Sequence, residues 1–137
     1  MKRILLLLLS VFLFSLNAEE IDCSKAISTP EINACAAKEL AAKEKVLEDY
    51  LEKAYELKKP EQKVVQSLKE SQTTWLRYRK SYCSGVYELW SGGTIRGAMY
   101  NGCMIRLTKE RTHIIWSDYL TYMDSTPPAL PEPSMND

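Results

Sequence analysis

Four cysteines, one histidine and 18 carboxylates are the side chains of this 137-residue chain with chemistry to offer, and their spacing argues against most of it. Cys23, Cys35, Cys83 and Cys103 contain no Cys-x-x-Cys pair, so neither a dithiol redox centre nor a zinc site is indicated, and a lone histidine adds no ligand set. His113 has the right side chain for general acid-base work. Its neighbours Thr112, Ile114 and Ile115 read as ordinary helix, and no motif places a serine or cysteine nucleophile beside it, so it reads as a surface histidine. No strand-end or loop context singles out a carboxylate pair for glycoside chemistry. Gly92-Gly93 lacks the spacing and the lysine of a phosphate cradle. These residues predict no enzyme, no cofactor and no metal site.

What remains for the cysteines is pairing, and that depends on compartment. Lys2 and Arg3 followed by the apolar run Ile4 to Leu16 and the small Ala18 read as a secretory signal over residues 1–18, cut before Glu19. The run is shorter than the roughly 20 apolar residues a spanning helix needs. Cys23 stands behind Glu19-Glu20-Ile21-Asp22, too far from the cut to be acylated, so no stable membrane anchor is expected. The expected location is periplasmic or secreted, where two disulfides can persist. Cys23 with Cys35 and Cys83 with Cys103 close short local loops and are preferred; Cys35 with Cys83 plus Cys23 with Cys103 is the rival. Losing Lys2 and Arg3 from 18 basic residues leaves 16 against 18 acidic ones, a net charge of −2. Such a balance does not suit a nucleic-acid partner, and Arg77-Tyr78-Arg79-Lys80 is a short cluster on a helix.

The elements that position these residues are helical. Ile32, Ala36, Leu40, Leu47, Leu51 and Ala54 recur at spacings of three, four or seven between Pro30 and Leu57, with Thr29 as the capping hydroxyl and Lys58-Lys59-Pro60 as the stop. A second helix is predicted from Glu61 to Trp90, its stripe made of Val65, Leu68, Gln72, Trp75, Arg79, Tyr82, Val86 and Leu89. Gly92-Gly93 ends it, and Thr94 caps a third with Ile95, Ala98, Met99, Cys103, Leu107, Ile114 and Tyr119 inward, weakened near Asn101-Gly102. The fold class is all-α: an antiparallel three-helix bundle with a short N-terminal arm over residues 19–124. Residues 125–137, rich in proline, read as a disordered tail.

Reflection through the Pro60 turn sets Glu39 opposite Arg79, which predicts an internal ion pair that fixes helix register. Trp75 reads as a core anchor. Arg77 and Lys80, off the stripe, and Tyr87, Trp90 and Arg96 around the glycine turn are the candidates for contact with a protein partner, on exposure alone.

The run Thr29-Pro30-Glu31-Ile32-Asn33-Ala34-Cys35, then Gln72-x-x-Trp75-Leu76-x-Tyr78-Arg79-x-x-x-Cys83, then Gly92-Gly93-Thr94, Cys103 and Thr108-x-x-Arg111 resembles the LprI-type family, named for a lysozyme inhibitor. The likeness spans Cys23 to Tyr119 and departs in Val46-Leu47-Glu48-Asp49-Tyr50, where the family pattern has an asparagine after the leucine. It implies a small disulfide-stabilised envelope protein that inhibits a lysozyme-type muramidase. Gln72, Trp75, Leu76, Tyr78, Arg79 and Arg111, with Glu39, would then be its structural motif residues. The alternative is a non-enzymatic scaffold or immunity-type module with a different protein partner.

Overall fold

The computed structural model describes residues 21–136; the predicted signal at residues 1–18 lies outside them. Three helices follow a 3-10 turn at Cys23–Lys25: α1 at Thr29–Lys58, α2 at Gln62–Leu89 and α3 at Arg96–Ile115, the last running into one π turn at Trp116–Leu120. No strand occurs among the described residues.

Local chemistry sets the ends of α1 within a residue of expectation, with one correction. The N-cap is Ser28, not Thr29: its hydroxyl accepts from the Glu31 backbone N–H, and the Glu31 carboxylate accepts from the Ser28 N–H at 2.9 Å. This capping box satisfies two donors that the first turn would otherwise leave open. Pro60 sits in the turn to α2, where Glu61 N–H reaches Lys58 O at 2.8 Å.

The start of α1 meets the start of α3, where Asn33 Nδ2 donates to Thr94 O at 3.2 Å, so α1 and α3 run in parallel and α2 runs back between their ends. Their packing is unequal. α1 lies mainly along α3, α2 also packs on α3, and α1 touches α2 only sparsely. With α3 serving both neighbours, its buried arc is broad: Cys103, Met104, Ile105, Leu107, Thr108, Thr112 and Ile115. That breadth corrects the single predicted stripe, since Ile114 stands at its exposed edge while Ile115 is fully buried. α3 also continues unbroken through Asn101-Gly102.

On α2, Tyr82 and Leu89 turn outward instead of inward. Eighteen residues from Val65 bring the helix round about five whole turns to Cys83, whereas a strict heptad drifts about 20° per repeat and leaves Tyr82 and Leu89 behind. Cys83 takes the inward place, bonded to Cys103, and Cys23 is bonded to Cys35. The preferred connectivity is the one formed.

Two apolar clusters result. Leu47, Leu51, Ala54, Leu68, Ile115 and Leu120 form the larger; Cys83, Cys103, Met104 and Leu107 form the smaller, and Trp75 packs against both. The proline-rich segment is the largest correction. Ala129 and Leu130 pack on the larger cluster, and Ala129 N–H bonds to Leu120 O at 2.8 Å, so residues 129–132 are fixed where a disordered tail was expected. Prolines already restrict the unfolded chain, which lowers the entropy lost when two apolar side chains anchor the segment.

Candidate functional site

The motif residues converge on the α2–α3 interface. Arg79 is 7% exposed; its Nη1 donates to Thr108 Oγ1 at 2.7 Å and its Nη2 to Glu44 Oε1 at 2.8 Å. Glu44, not Glu39, is therefore the partner. The reflection assumed that α1 lies evenly along α2, but α1 follows α3, and the carboxylate that reaches Arg79 is five positions further on. Glu39 instead lines an open cleft beside the Cys23–Cys35 bridge. Among the described residues Arg79 Nε is buried without a hydrogen-bond partner.

Trp75 lies between two guanidinium groups, with Arg79 Cζ 4.9 Å and Arg111 Cζ 5.9 Å from its ring centroid. A cation over an indole face gains from the ring quadrupole, more so where water is thinned out. Gln72 Oε1 accepts from Arg111 Nε at 3.0 Å and Ser71 Oγ from Arg111 Nη2 at 3.0 Å. Burial presses the Arg111 guanidinium below its ordinary range, an effect opposed by Tyr119, Tyr55 and Asp118. Buried Thr108 returns its own hydroxyl proton to Met104 O at 2.7 Å, so its oxygen is free to accept from Arg79. Gln72, Trp75, Arg79 and Arg111 thus form a structural stack that locks α2 to α3.

Leu76 and Tyr78 complete the motif at the surface. Tyr78 packs on Tyr82 with ring centroids 5.8 Å apart. Leu76 opens into the groove left where α1 and α2 splay, about 760 Å³, which also shows Gln72 and Arg79 from α2 and Glu44, Glu48 and Glu52 from α1.

The candidates for partner contact fall into two places. Arg77 and Lys80 are exposed on α2. Tyr87, Trp90 and Arg96 gather at the α2–α3 turn, where Arg96 Cζ stacks 4.4 Å from the Tyr87 centroid and Tyr87 meets Tyr100 edge-on at 6.1 Å. Trp90 is 41% exposed, and beside it Leu89 is 81% exposed, a residue that a bundle-facing assignment concealed. The turn is held from α1. Asn33 Oδ1 accepts from Ala98 N–H at 2.6 Å, so Asn33 does the capping predicted for Thr94. A Cβ at Gly97 would stand 3.1 Å from that oxygen, which accounts for the glycine. The signal for Asn33 lay in its place within the first motif, but its target, 65 residues away, is not readable from spacing.

Among the described residues no three histidine, cysteine or acidic side chains converge as a metal site, and no helix is long and apolar enough to cross a membrane.

Comparison with known proteins follows the motif. The family described as "Lysozyme inhibitor LprI" matches residues 22–114. An uncharacterized protein of Rhizobium meliloti (strain 1021) is 27% identical over 108 residues, covering 68% of this chain and 75% of the relative. No solved structure matches.

Proposed function

Because the chain belongs to the lysozyme inhibitor LprI family, we propose that it is an exported, non-enzymatic protein that binds a lysozyme-type muramidase and occludes its cleft. Two disulfides, one of them deep in the core, suit an oxidising envelope compartment. The family's description supports this activity, and the structure offers a shape for it.

The observation that carries the reading is the α2–α3 tip. An exposed leucine and tryptophan, Leu89 and Trp90, stand at the turn with an arginine whose Cζ lies 4.4 Å over the Tyr87 ring. Large aromatic and arginine anchors on a rigid turn lose little freedom on binding and dominate the energetics of such contacts. Glycosidases of this kind carry paired carboxylates in their clefts, so a tip with Arg96, and Arg77 and Lys80 further along α2, offers charge of the right sign. The test is a stoichiometric titration of muramidase activity with the oxidised protein. Trp90→Ala should weaken inhibition by at least about 2 kcal/mol, roughly thirtyfold, and Arg77→Ala or Lys80→Ala by less than about tenfold. Full inhibition by Trp90→Ala together with Arg96→Ala would remove the tip from the mechanism. Absence of both binding and inhibition at micromolar concentration would remove the muramidase.

A further inference from the structure

We propose that the seam between α1 and α3 is a binding site for a short peptide reading apolar, proline, acidic, and that residues 129–132 of this chain are its resident ligand, tethered in cis. The muramidase reading plays no part in this inference.

Two aromatic donors, one from each wall of the seam, address consecutive carbonyls of the segment. Trp116 Nε1 donates to Leu130 O at 3.0 Å, and Tyr50 Oη donates to Pro131 O at 2.7 Å. Indole and phenol hydrogens aimed at the carbonyls of a proline-containing strand are the means by which aromatic grooves hold such peptides, because proline has no N–H to offer and its carbonyl is left free. Tyrosine is protonated at neutral pH, and burial moves the Tyr50 hydroxyl further in that direction.

Side chains then supply selectivity. Leu130, partly buried, packs against the larger core cluster, while Glu132 Oε1 lies 3.0 Å from His113 Nε2. Lys43 and Lys109 line the small pocket that Glu132 shares, which makes this end of the seam favourable to a carboxylate. The segment also runs antiparallel to the chain it faces. From Ala129, bonded to Leu120 O, to Glu132, beside His113, it advances three residues while the chain it faces steps back seven, through the π turn into α3. A frayed end lying on a surface by chance has no reason to match both register and polarity.

The tether has the character of a linker. Tyr122 to Pro128 are all exposed. A short tether that spans the distance presents its ligand at a high effective concentration, which lets a weak site stay filled. The family match ends at Ile114, so Trp116 and the strap lie beyond the matched domain.

The test uses the full oxidised chain labelled at tryptophan, with the Trp116 indole resonance and its hydrogen exchange as readout. In the native chain Trp116 should exchange at least tenfold more slowly than exposed Trp90, as a hydrogen-bonded donor does. Leu130→Asp should release the strap and bring Trp116 to the rate of Trp90. A synthetic peptide of residues 126–135 should then restore the native Trp116 resonance saturably, whereas the same peptide with leucine and glutamate exchanged should not. Equal exchange of Trp116 and Trp90 in the native chain would overturn the proposal, as would no response to millimolar peptide or an equal response to the exchanged peptide. Should Leu130→Asp fail to fold, Trp116→Phe and Tyr50→Phe decide: each should speed exchange at the Ala129 amide roughly five- to tenfold, and no change in either refutes the site.

Discussion

Arg79 shows how much of a site a single sequence can disclose. That a basic residue on an apolar stripe must find a carboxylate follows from the cost of burying charge alone, and an acid on α1 does answer it. Which acid was not legible, because the register of α1 against α2 is set by how both rest on α3. The difference between Glu44 and Glu39 is measurable. Glu44→Ala should lower unfolding free energy by about 1 to 3 kcal/mol, less than a fully buried pair would lose because Glu44 is 43% exposed, while Glu39→Ala should change it by under about 0.5 kcal/mol. Urea denaturation of both variants, with Arg79→Met to close a double-mutant cycle, checks this. Equal effects would mean that Arg79 has no preferred partner.

At the scale of the element, helix limits were legible since caps and stops are local chemistry, whereas the inward face was legible only in part. Ile114 went astray because α3 serves two neighbours, Tyr82 and Leu89 because a strict heptad drifts from the helical period, and the strap was missed because proline content speaks for loss of helix, not for loss of order. The capping box gives α1 a pH signature. Backbone and hydroxyl donors from Ser28, with the Ile27 N–H, hold the Glu31 carboxyl below its ordinary value of 4.5. The folded pKa lies under the unfolded one, so the stabilisation is complete above the unfolded value and is lost as pH falls through the folded one. Glu31→Gln should therefore be less stable than the native chain at neutral pH, and the gap should close on acidification toward pH ~3. Chemical denaturation at both pH values tests the sign; a gap that widens in acid would refute it.

Across the whole molecule, the disulfides divide the work unequally. Cys83–Cys103 spans 20 residues inside the smaller core, with Cys83 fully buried, whereas Cys23–Cys35 spans 12 and ties a surface turn to α1. Replacing the inner pair by serine should cost about 3 to 5 kcal/mol, including burial of two hydroxyls in an apolar cluster, against about 2 to 3 kcal/mol for the outer pair. Thermal unfolding of the two double variants should rank them in that order. The unequal packing of the helices carries a consequence for time as well as for stability. Since α1 rests on α3 and hardly on α2, its principal contacts join the most distant parts of the sequence, which slows folding relative to a bundle whose neighbours are sequential. The hairpin of α2 and α3 can assemble early around Trp75, and α1 must wait for the last helix before it has a surface to rest on. Stopped-flow refolding should find Leu68→Ala slowing the folding limb while Leu47→Ala acts mainly on unfolding. A chain entering its compartment N-terminus first would thus hold its first helix in reserve until its end has arrived.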